Sequence, residues 1–294
     1  MRFLNVKTIL MLIMFVLAAG ISHAQTAKEI MIKADKIATE SSNSMFQKMK
    51  LSTCKYAKKG KKTVCTKNPR IKLIESAQKD VGSRGKDSKS ISFILEPIGE
   101  KGMGMLIFDY DDSDKDTISW LYLSAMGKVK KIISGTDDDD ESGSFFGSEF
   151  LIEDMENHDI EDYTYKILKE TVYQKRPVWI IESIPTPKRL RKSKYGKSHT
   201  WIDKERFIEL KVQLYNKQLK PYKQITMRNI ENIDGVWTPR KITIKNLKTK
   251  RTSVVSLISV SYNIEIPEQF LTQRALTDFA YREREMIKIK RHLK

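Results

Sequence analysis

Apolar and polar residues alternate along Ile208-Glu209-Leu210-Lys211-Val212-Gln213-Leu214, and a turn-forming stretch separates this segment from a second one at 222–227. Alternation with a period of two places apolar side chains on one face of a β-strand and polar side chains on the other. Further segments of this kind lie on both sides of the pair, mostly separated by Gly, Pro, Asn or Asp. About ten or eleven strands at this spacing predict an antiparallel sheet, a barrel or a sandwich.

Two other segments have the periodicity of helices. Residues 26–41 space their apolar positions as one amphipathic helix, and residues 269–294 return to helical character with a strongly basic end. The remaining alternating segments are 49–53, 91–95, 103–107, 118–122, 163–167, 178–184, 242–244 and 254–264. No internal repeat or linker divides the chain, so we expect one domain after the N-terminal segment.

The first 24 residues have the order of a secretory signal peptide. Arg2 and Lys7 precede an apolar run at 8–21, and Ser22-His23-Ala24 supplies small residues at the cleavage positions. The run is too short to span a bilayer. Because Gln25 rather than Cys follows Ala24, lipid attachment is not expected. We therefore expect residues 25 onward to act as a soluble protein outside the cytoplasm.

The chain is basic, with 54 Lys and Arg against 37 Asp and Glu and a formal net charge of +17. Such an excess favours anionic partners, among them nucleic acid, phospholipid or lipopolysaccharide head groups, and acidic proteins. Export makes nucleic acid the least expected of these. The alternative is that the charge only keeps an exported protein soluble.

The two cysteines, Cys54 and Cys65, are separated by a lysine-rich stretch. If Lys59 and Gly60 form a turn, the cysteines face each other in a hairpin, within reach of a disulfide. An oxidising compartment favours that bond. Reduced buried thiols or a redox pair remain alternatives, although the C-x-x-C spacing of redox pairs is absent.

An aromatic loop interrupts the strand pattern. It follows an acidic run at 137–141 and contains Phe145, Phe146 and Phe150, with a short helix predicted at 150–157 and Ser148 as its N-cap. The pattern predicts a lid or plug over one face of the sheet; a surface excursion whose phenylalanines dock on the core is the alternative. The acidic run is typical of a solvated loop, with loose calcium binding as the other possibility.

Motifs of catalysis are missing from the sequence. It contains no G-x-S-x-G, no H-E-x-x-H and no nucleotide-binding loop, and its histidines outside the signal segment, His158, His199 and His292, are far apart. The segment 112–116 begins like a calcium loop, but Thr117 and Leu123 stand where Gly and Glu are required. We therefore expect no enzyme, no cofactor and no bound metal.

Methionine and aromatic residues concentrate near the loop. Such side chains adapt to irregular apolar ligands, including acyl chains, although ordinary core packing is the alternative. The residues concerned are Met103, Met105, Phe108, Trp120, Tyr122, Phe145, Phe146 and Phe150.

Several strings resemble the outer-membrane lipoprotein-sorting protein family, which includes LolA- and LolB-like carriers. Trp-Leu-Tyr-Leu at 120–123 and Lys-Val-Lys-Lys-Ile at 128–132 are similar to W-x-Y-L-P…K-V-R-R-I, with Ser124 in place of the proline. Gly-Ser-Glu-Phe at 147–150 with Glu-Asp-Met at 153–155 resembles G-S-D-F-x-x-E-D-L. Trp-Ile-Asp at 201–203, Ile-Asp-Gly-Val-Trp-Thr-Pro at 233–239 and Phe-Leu-Thr-Gln-Arg-Ala-Leu at 270–276 complete the set.

The resemblance implies a mainly β fold: a curved antiparallel sheet forming an incomplete barrel, covered by a few helices around a hydrophobic cavity. It implies a periplasmic carrier that shields lipid or lipoprotein acyl chains during transfer towards the outer membrane, with an inner-membrane lipid exporter as a partner. The excess of Lys and Arg favours an anionic membrane surface as a further partner. The resemblance offers no catalytic residues. The alternatives are a protein-binding or assembly platform with a filled core, and a polyanion-binding surface protein.

From these arguments we divide the chain into a signal peptide (1–24), a carrier-like domain (25–276) and a basic C-terminal helical extension (277–294). We place the lid at Phe145, Phe146 and Phe150. The expected cavity wall consists of Met103, Met105, Ile107, Ile118, Trp120 and Tyr122.

Overall fold

The structure is a computed structural model that describes residues 25–60, 62–82, 86–112, 114–133, 143–157 and 159–291. The predicted signal peptide, the acidic run at 137–141, His158 and His292 lie outside these described residues. Within the described part of the chain, no helix is both long and apolar enough to cross a membrane.

Fourteen strands of the described residues form one antiparallel sheet, which confirms the mainly β expectation. They are β1 (Ser44–Lys59), β2 (Lys62–Cys65), β3 (Arg70–Val81), β4 (Asp87–Glu96), β5 (Gly104–Asp109), β6 (Ile118–Leu123), β7 (Lys128–Ile133), β8 (Tyr163–Tyr173), β9 (Arg176–Pro185), β10 (Tyr195–Asp203), β11 (Glu209–Asn216), β12 (Pro221–Ile233), β13 (Val236–Asn246) and β14 (Arg251–Tyr262).

The strand order joins two meanders. It runs β7-β6-β5-β4-β3-β1-β14-β13-β12-β11-β10-β9-β8, and β2 pairs with β1 beside this path. The two meanders, β1–β7 and β8–β14, are joined where β1, the first strand, pairs with β14, the last. Strands β7 and β8 lie at opposite ends of this open sheet.

Alternation alone does not reveal every strand. β3 is an example, because Ile74, Glu75, Ser76 and Ala77 are all buried, so both of its faces are covered and its residues do not alternate. A strand buried on both faces loses the period of two that identifies half-exposed strands.

The sheet is strongly curved. The turn between β5 and β6 lies nine strand positions from β9, which in a flat sheet would separate them by about 40 Å. Lys192, just after β9, nevertheless forms an ion pair with Asp116 in that turn at 2.6 Å, and Lys188 pairs with Asp114 at 2.5 Å. The two ends of the open sheet therefore approach each other, as an incomplete barrel requires.

Four helices accompany the sheet in the described residues: α1 (Ala27–Glu40), α2 (Pro187–Lys192), α3 (Gln273–Thr277) and α4 (Phe279–Arg291). Helix α1 confirms the prediction for 26–41. Thr26 caps it, and the side chain of Glu29 accepts a hydrogen bond from the backbone N–H of Thr26, a reciprocal arrangement that stabilises helix starts. Ile30 and Ala34 pack against β9 and β10.

The C-terminal segment covers one face of the sheet. We call residues 264–291 the C-terminal cover: Phe270, Leu276 and Ile289 are buried against sheet residues that include Phe46 and Leu106. The contact is close, because a Cβ atom at Gly104 would lie 2.8 Å from Leu276. The basic end of the chain predicted as an extension thus packs against the sheet through helix α4.

Cys54 and Cys65 form the disulfide that the sequence analysis favoured, with their Cα atoms 5.8 Å apart. The expected register is wrong by two residues. Lys59 pairs with Lys62, so Cys65 lies opposite Tyr56 and the bond joins diagonal neighbours instead of facing ones. The turn therefore follows Lys59 and includes Gly60, which adopts a positive φ of 60° that suits glycine.

The plug loop as candidate functional site

Residues 143–157, which we call the plug loop, lie between β7 and β8 and contain no α-helix and no strand of the sheet. The loop contains two short 3-10 turns, Phe145–Gly147 and Ile152–Met155, and the Phe145 N–H donates to the carbonyl of Phe150, between these turns, at 2.8 Å. The helix predicted at 150–157 is therefore wrong in extent. Ser148 accepts from the Phe150 N–H, while Asp154 accepts from the Leu151 N–H at the start of the second turn.

The three phenylalanines of the loop point into the protein. Phe145, Phe146 and Phe150 are 6%, 5% and 7% exposed and share one cluster with apolar side chains of the sheet. That cluster draws on strands from both halves: Met49, Leu51, Ile74, Ile94, Met105, Tyr195, Val212, Leu214, Tyr222, Ile225 and Ile244. The interior that the resemblance assigns to a hydrophobic cavity is thus occupied by aromatic side chains of the loop.

Phe146 holds an unfavourable backbone conformation. Its φ of 48° and ψ of 40° lie in the left-handed region, which is uncommon for bulky residues and costs about 1–2 kcal/mol. The strain is offset by burial of the ring, so the conformation depends on the contact with the sheet.

Glu149 connects the loop to β13 and β14. Its carboxylate pairs with Arg251 at 2.8 Å and accepts from the Asn246 amide at 2.9 Å. Its backbone N–H donates to Ser253 Oγ at 2.9 Å. The partners Asn246, Arg251 and Ser253 lie at or near the turn between β13 and β14, so Glu149 is held to the sheet by polar groups.

Asp154 forms the deepest contact. It pairs with Lys223 of β12 at 3.2 Å, and the two side chains are 0% and 2% exposed. Lys223 also donates to the Glu149 carbonyl at 2.9 Å, and the Tyr195 hydroxyl donates to Asp154. Burial raises the pKa of Tyr195 well above its ordinary value, so the hydroxyl remains a donor. A buried pair of this kind stabilises little relative to apolar packing, but the loss of one partner leaves an uncompensated charge.

A third contact joins the loop to helix α2. Arg189 lies 3.5 Å from Glu153 and 3.2 Å from Glu156, and the Lys194 N–H donates to Glu153 at 3.1 Å. Burial raises the pKa of Glu153. Because α2 follows β9, this contact holds the end of the loop against the far end of the sheet.

A small acidic pocket of about 40 Å³ lies beyond the end of the loop. Asp109 accepts from the Asn157 N–H at 2.8 Å and from Thr117 Oγ1 at 2.9 Å, and burial raises its pKa to about 6. Among the described residues, no group of three or more His, Cys, Asp or Glu side chains is arranged to hold a metal ion.

The structure divides the residues predicted to line the cavity. Met105 belongs to the cluster beneath the plug loop, and Met103 and Ile107 pack against it. Trp120 and Tyr122 instead pack against the cluster of the C-terminal cover, and Ile118 lies on their side of β6. Thus Met103, Met105 and Ile107 meet the three phenylalanines of the lid prediction, whereas Ile118, Trp120 and Tyr122 do not.

The polar partners of the loop were not among the residues predicted from the sequence. Lys223 gives the clearest signal in retrospect, because it stands in phase with Ile225 and Met227 on the apolar face of β12. A lysine on such a face requires a buried anion. The candidates were already in the motif that resembles the lipoprotein-sorting family, whose acidic residues are Glu149, Glu153 and Asp154.

Comparison with known proteins supports the fold. The chain belongs to the family, described as "Uncharacterized protein", whose sequence profile matches residues 86–278. No curated protein matches the chain.

Several solved structures share the fold at low identity. A DUF1329 family protein from Desulfovibrio piger is 21% identical with a TM-score of 0.73, covering 85% of this chain and 97% of its own. An outer-membrane lipoprotein-sorting protein domain from Vibrio parahaemolyticus is 23% identical with a TM-score of 0.72, covering 85% and 98%. A LolA superfamily protein from Nitrosomonas europaea is 19% identical with a TM-score of 0.60, again covering 85% and 98%. The resemblance to the lipoprotein-sorting fold is thus confirmed.

Proposed function

We propose that this protein is an exported carrier that binds lipid or lipoprotein acyl chains on the sheet face beneath the plug loop. The observation that carries the proposal is the covering of that face: three buried phenylalanines on a segment without regular structure, connected to the sheet through charged groups. An acyl chain that displaced the rings would meet the same apolar surface, including Met103, Met105 and Ile107.

The energies of the two occupants are similar. Three phenylalanine rings burying about 200 Å² each correspond to about 15 kcal/mol at 25 cal/mol/Å². An acyl chain of about 15 carbons corresponds to ~12 kcal/mol at 0.8 kcal/mol per CH₂. In apolar burial alone the two occupants are thus close to balanced, so that the chain can be bound and still released, which a carrier requires.

The wider setting is part of the proposal and is supported by the signal-peptide pattern and by the family resemblance. An exported protein of this fold would operate in the periplasm, receive its cargo from an inner-membrane lipid exporter and release it towards the outer membrane. The carrier needs no cofactor and no catalytic group, because binding and release involve no covalent step.

A second candidate is a protein-binding or assembly platform. The filled space beneath the plug loop favours it, because a platform uses its outer surface and keeps its interior packed. The two candidates differ in one property: only the carrier exchanges the loop for an acyl chain.

The cargo is identified by native mass spectrometry of the protein purified from its own compartment. The carrier predicts a co-purifying mass that extracts as phospholipid or acylated peptide. A bare protein mass that persists after incubation with lipid vesicles would favour the platform.

The loop assignment is tested with Phe146→Asp. Asp tolerates the left-handed backbone at this position better than most residues, so the substitution removes the ring with little additional strain. We expect tighter binding of a fluorescent fatty acid, because the variant lacks a ring that competes with the acyl chain for the same surface. Phe279→Asp, at a phenylalanine that is 60% exposed on α4, is the matched control and should bind the probe like the wild type. Unchanged affinity of a folded Phe146→Asp variant would contradict the assignment.

A further inference from the structure

A strongly basic surface lies at the disulfide-bonded hairpin. No acidic residue occurs between positions 52 and 72, whereas the basic residues there are Lys55, Lys58, Lys59, Lys61, Lys62, Lys67, Arg70 and Lys72. A second stretch without acidic residues, 236–264, contains Arg240, Lys241, Lys245, Lys248, Lys250 and Arg251.

The fold places these two stretches side by side. Lys55 is the register partner of Arg251 across β1 and β14, and the Tyr56 N–H donates to the Lys250 carbonyl at 2.8 Å. Lys245 reaches the hairpin and donates to Thr63 Oγ1 at 2.9 Å. The pKa of Lys245 is lowered by burial and further by the charges of Arg228 and Lys58. The fold thus keeps the positive charges of the two stretches close together despite their mutual repulsion.

The hairpin extends beyond the main sheet. β1 pairs with β3 as far as Thr53 and with β14 as far as Lys55, and its last residues pair with β2. The Cys54–Cys65 disulfide fixes the base of this two-stranded projection. Val64 is 38% exposed between the lysines, so an apolar side chain accompanies the charges.

We propose that this basic surface, residues 55–60 and 62–67 together with 245–251, docks the protein on an anionic phospholipid membrane. Every cation of the projecting hairpin is a lysine, a hydrated point charge on a flexible stem. Lysines suit the diffuse negative field of a lipid surface, whereas a compact phosphate site usually uses the bidentate geometry of arginine. The exposed Val64 fits the same interface.

Docking would bring the membrane close to the plug loop. Arg251, at the edge of the basic surface, pairs with Glu149 and donates to the Gly147 carbonyl at 3.3 Å. The docking surface itself rests on charge and geometry and does not require the carrier function.

The test is co-sedimentation of the chain from residue 25 with vesicles. One set contains phosphatidylcholine alone and the other an equal mixture of phosphatidylcholine and phosphatidylglycerol. The variant carries Lys58→Glu, Lys59→Glu and Lys62→Glu, all at exposed positions of the hairpin. The matched control carries Lys128→Glu, Lys130→Glu and Lys131→Glu on β7, which makes the same change in net charge at exposed positions of an edge strand.

We expect the wild type to bind the anionic vesicles and not the neutral ones, with binding that weakens as salt is added. At roughly fivefold per charge, the hairpin variant should lose about a hundredfold in affinity or more, and the control only a few fold. Both variants should take up a fluorescent fatty acid in solution like the wild type, which separates failure of docking from failure of the carrier.

Equal losses of affinity for the anionic vesicles in the two variants would overturn the proposal, since net charge alone would then explain binding. Equal binding of the wild type to neutral vesicles would overturn it as well. Capture by inorganic polyphosphate without any binding to anionic vesicles would assign the surface to a polyanion instead of a membrane.

Discussion

The two faces of the sheet are covered in different ways. The C-terminal cover is largely helical and contacts the sheet mainly through apolar side chains, with Phe270, Leu271 and Leu276 fully buried. The plug loop lacks regular structure, holds Phe146 in a left-handed conformation and is joined to the sheet by Glu149, Glu153 and Asp154.

In the proposed carrier, the C-terminal cover would stay in place and the plug loop would be displaced by the ligand. Apolar contacts of a helix persist at any pH and salt concentration at which the protein folds, because they depend on removing surface from water. A loop held by ion pairs and by strained backbone opens at lower free energy than a packed helix, as local unfolding generally does in segments without regular structure. The comparison therefore supports the plug loop as the segment that would be displaced in the proposed exchange.

The largest effect is expected for Lys223→Met. Removing the ammonium group leaves Asp154 buried without its counter-ion, which costs about 3–5 kcal/mol of unfolding free energy. Denaturant unfolding gives the loss. The double variant with Asp154→Asn should recover much of it, and a single variant as stable as the wild type would show that the pair does not anchor the loop.

Leu276→Ala tests the opposite face. A fully buried leucine replaced by alanine leaves a cavity beneath the C-terminal cover, and we expect a loss of about 3 kcal/mol. Acyl-probe binding should remain that of the wild type as long as the variant is folded. Loss of probe binding in the folded variant would mean that both covers take part in cargo exchange.

Glu149→Gln is expected to have a smaller effect. The amide keeps an acceptor for Asn246 but loses the charge that faces Arg251, a partly exposed partner, so about 1–2 kcal/mol should be lost. The discriminating measurement is probe uptake, which should become faster as the loop opens more often. Slower uptake would contradict a role of Glu149 in holding the loop closed.

The smallest effect concerns pH. The pKa of Asp109 is raised to about 6, so the folded protein binds this proton more tightly than the unfolded chain does. The contribution of Asp109 to stability is therefore complete at low pH and is lost as the pH rises through about 6. Between pH of about 8 and 5, the wild type should gain stability relative to Asp109→Asn, by about 1 kcal/mol. If the difference in unfolding free energy between the wild type and Asp109→Asn stayed constant across this pH range, titration of Asp109 would be excluded.

Much of the fold follows from local patterns in the sequence. Helix α1 was predictable because its cap and its apolar spacing agree, and most strands were predictable because one of their faces is exposed. Strand β3 was not, because residues buried on both faces do not alternate. The disulfide was predictable as a pair, but its register depends on which residues form the turn.

The candidate site was less predictable. The lid phenylalanines were identified as a group, but the division of the predicted wall between two faces was not. Met105 and Leu106 are both buried, so composition alone cannot tell which side of β5, and of its neighbour β6, faces the loop. The face is set by pairing register and by where distant segments pack, which no single stretch of sequence encodes.

Hydrogen exchange measured with and without a saturating fatty acid shows which cover of the sheet a bound acyl chain displaces. We expect binding to deprotect amides of the plug loop, including those of Phe145, Glu149 and Ile152, which are hydrogen-bonded in the closed state. The amides of helix α4 should keep their protection. Unchanged protection of the loop despite bound fatty acid would contradict the account, and deprotection of α4 instead would assign the exchange to the opposite face.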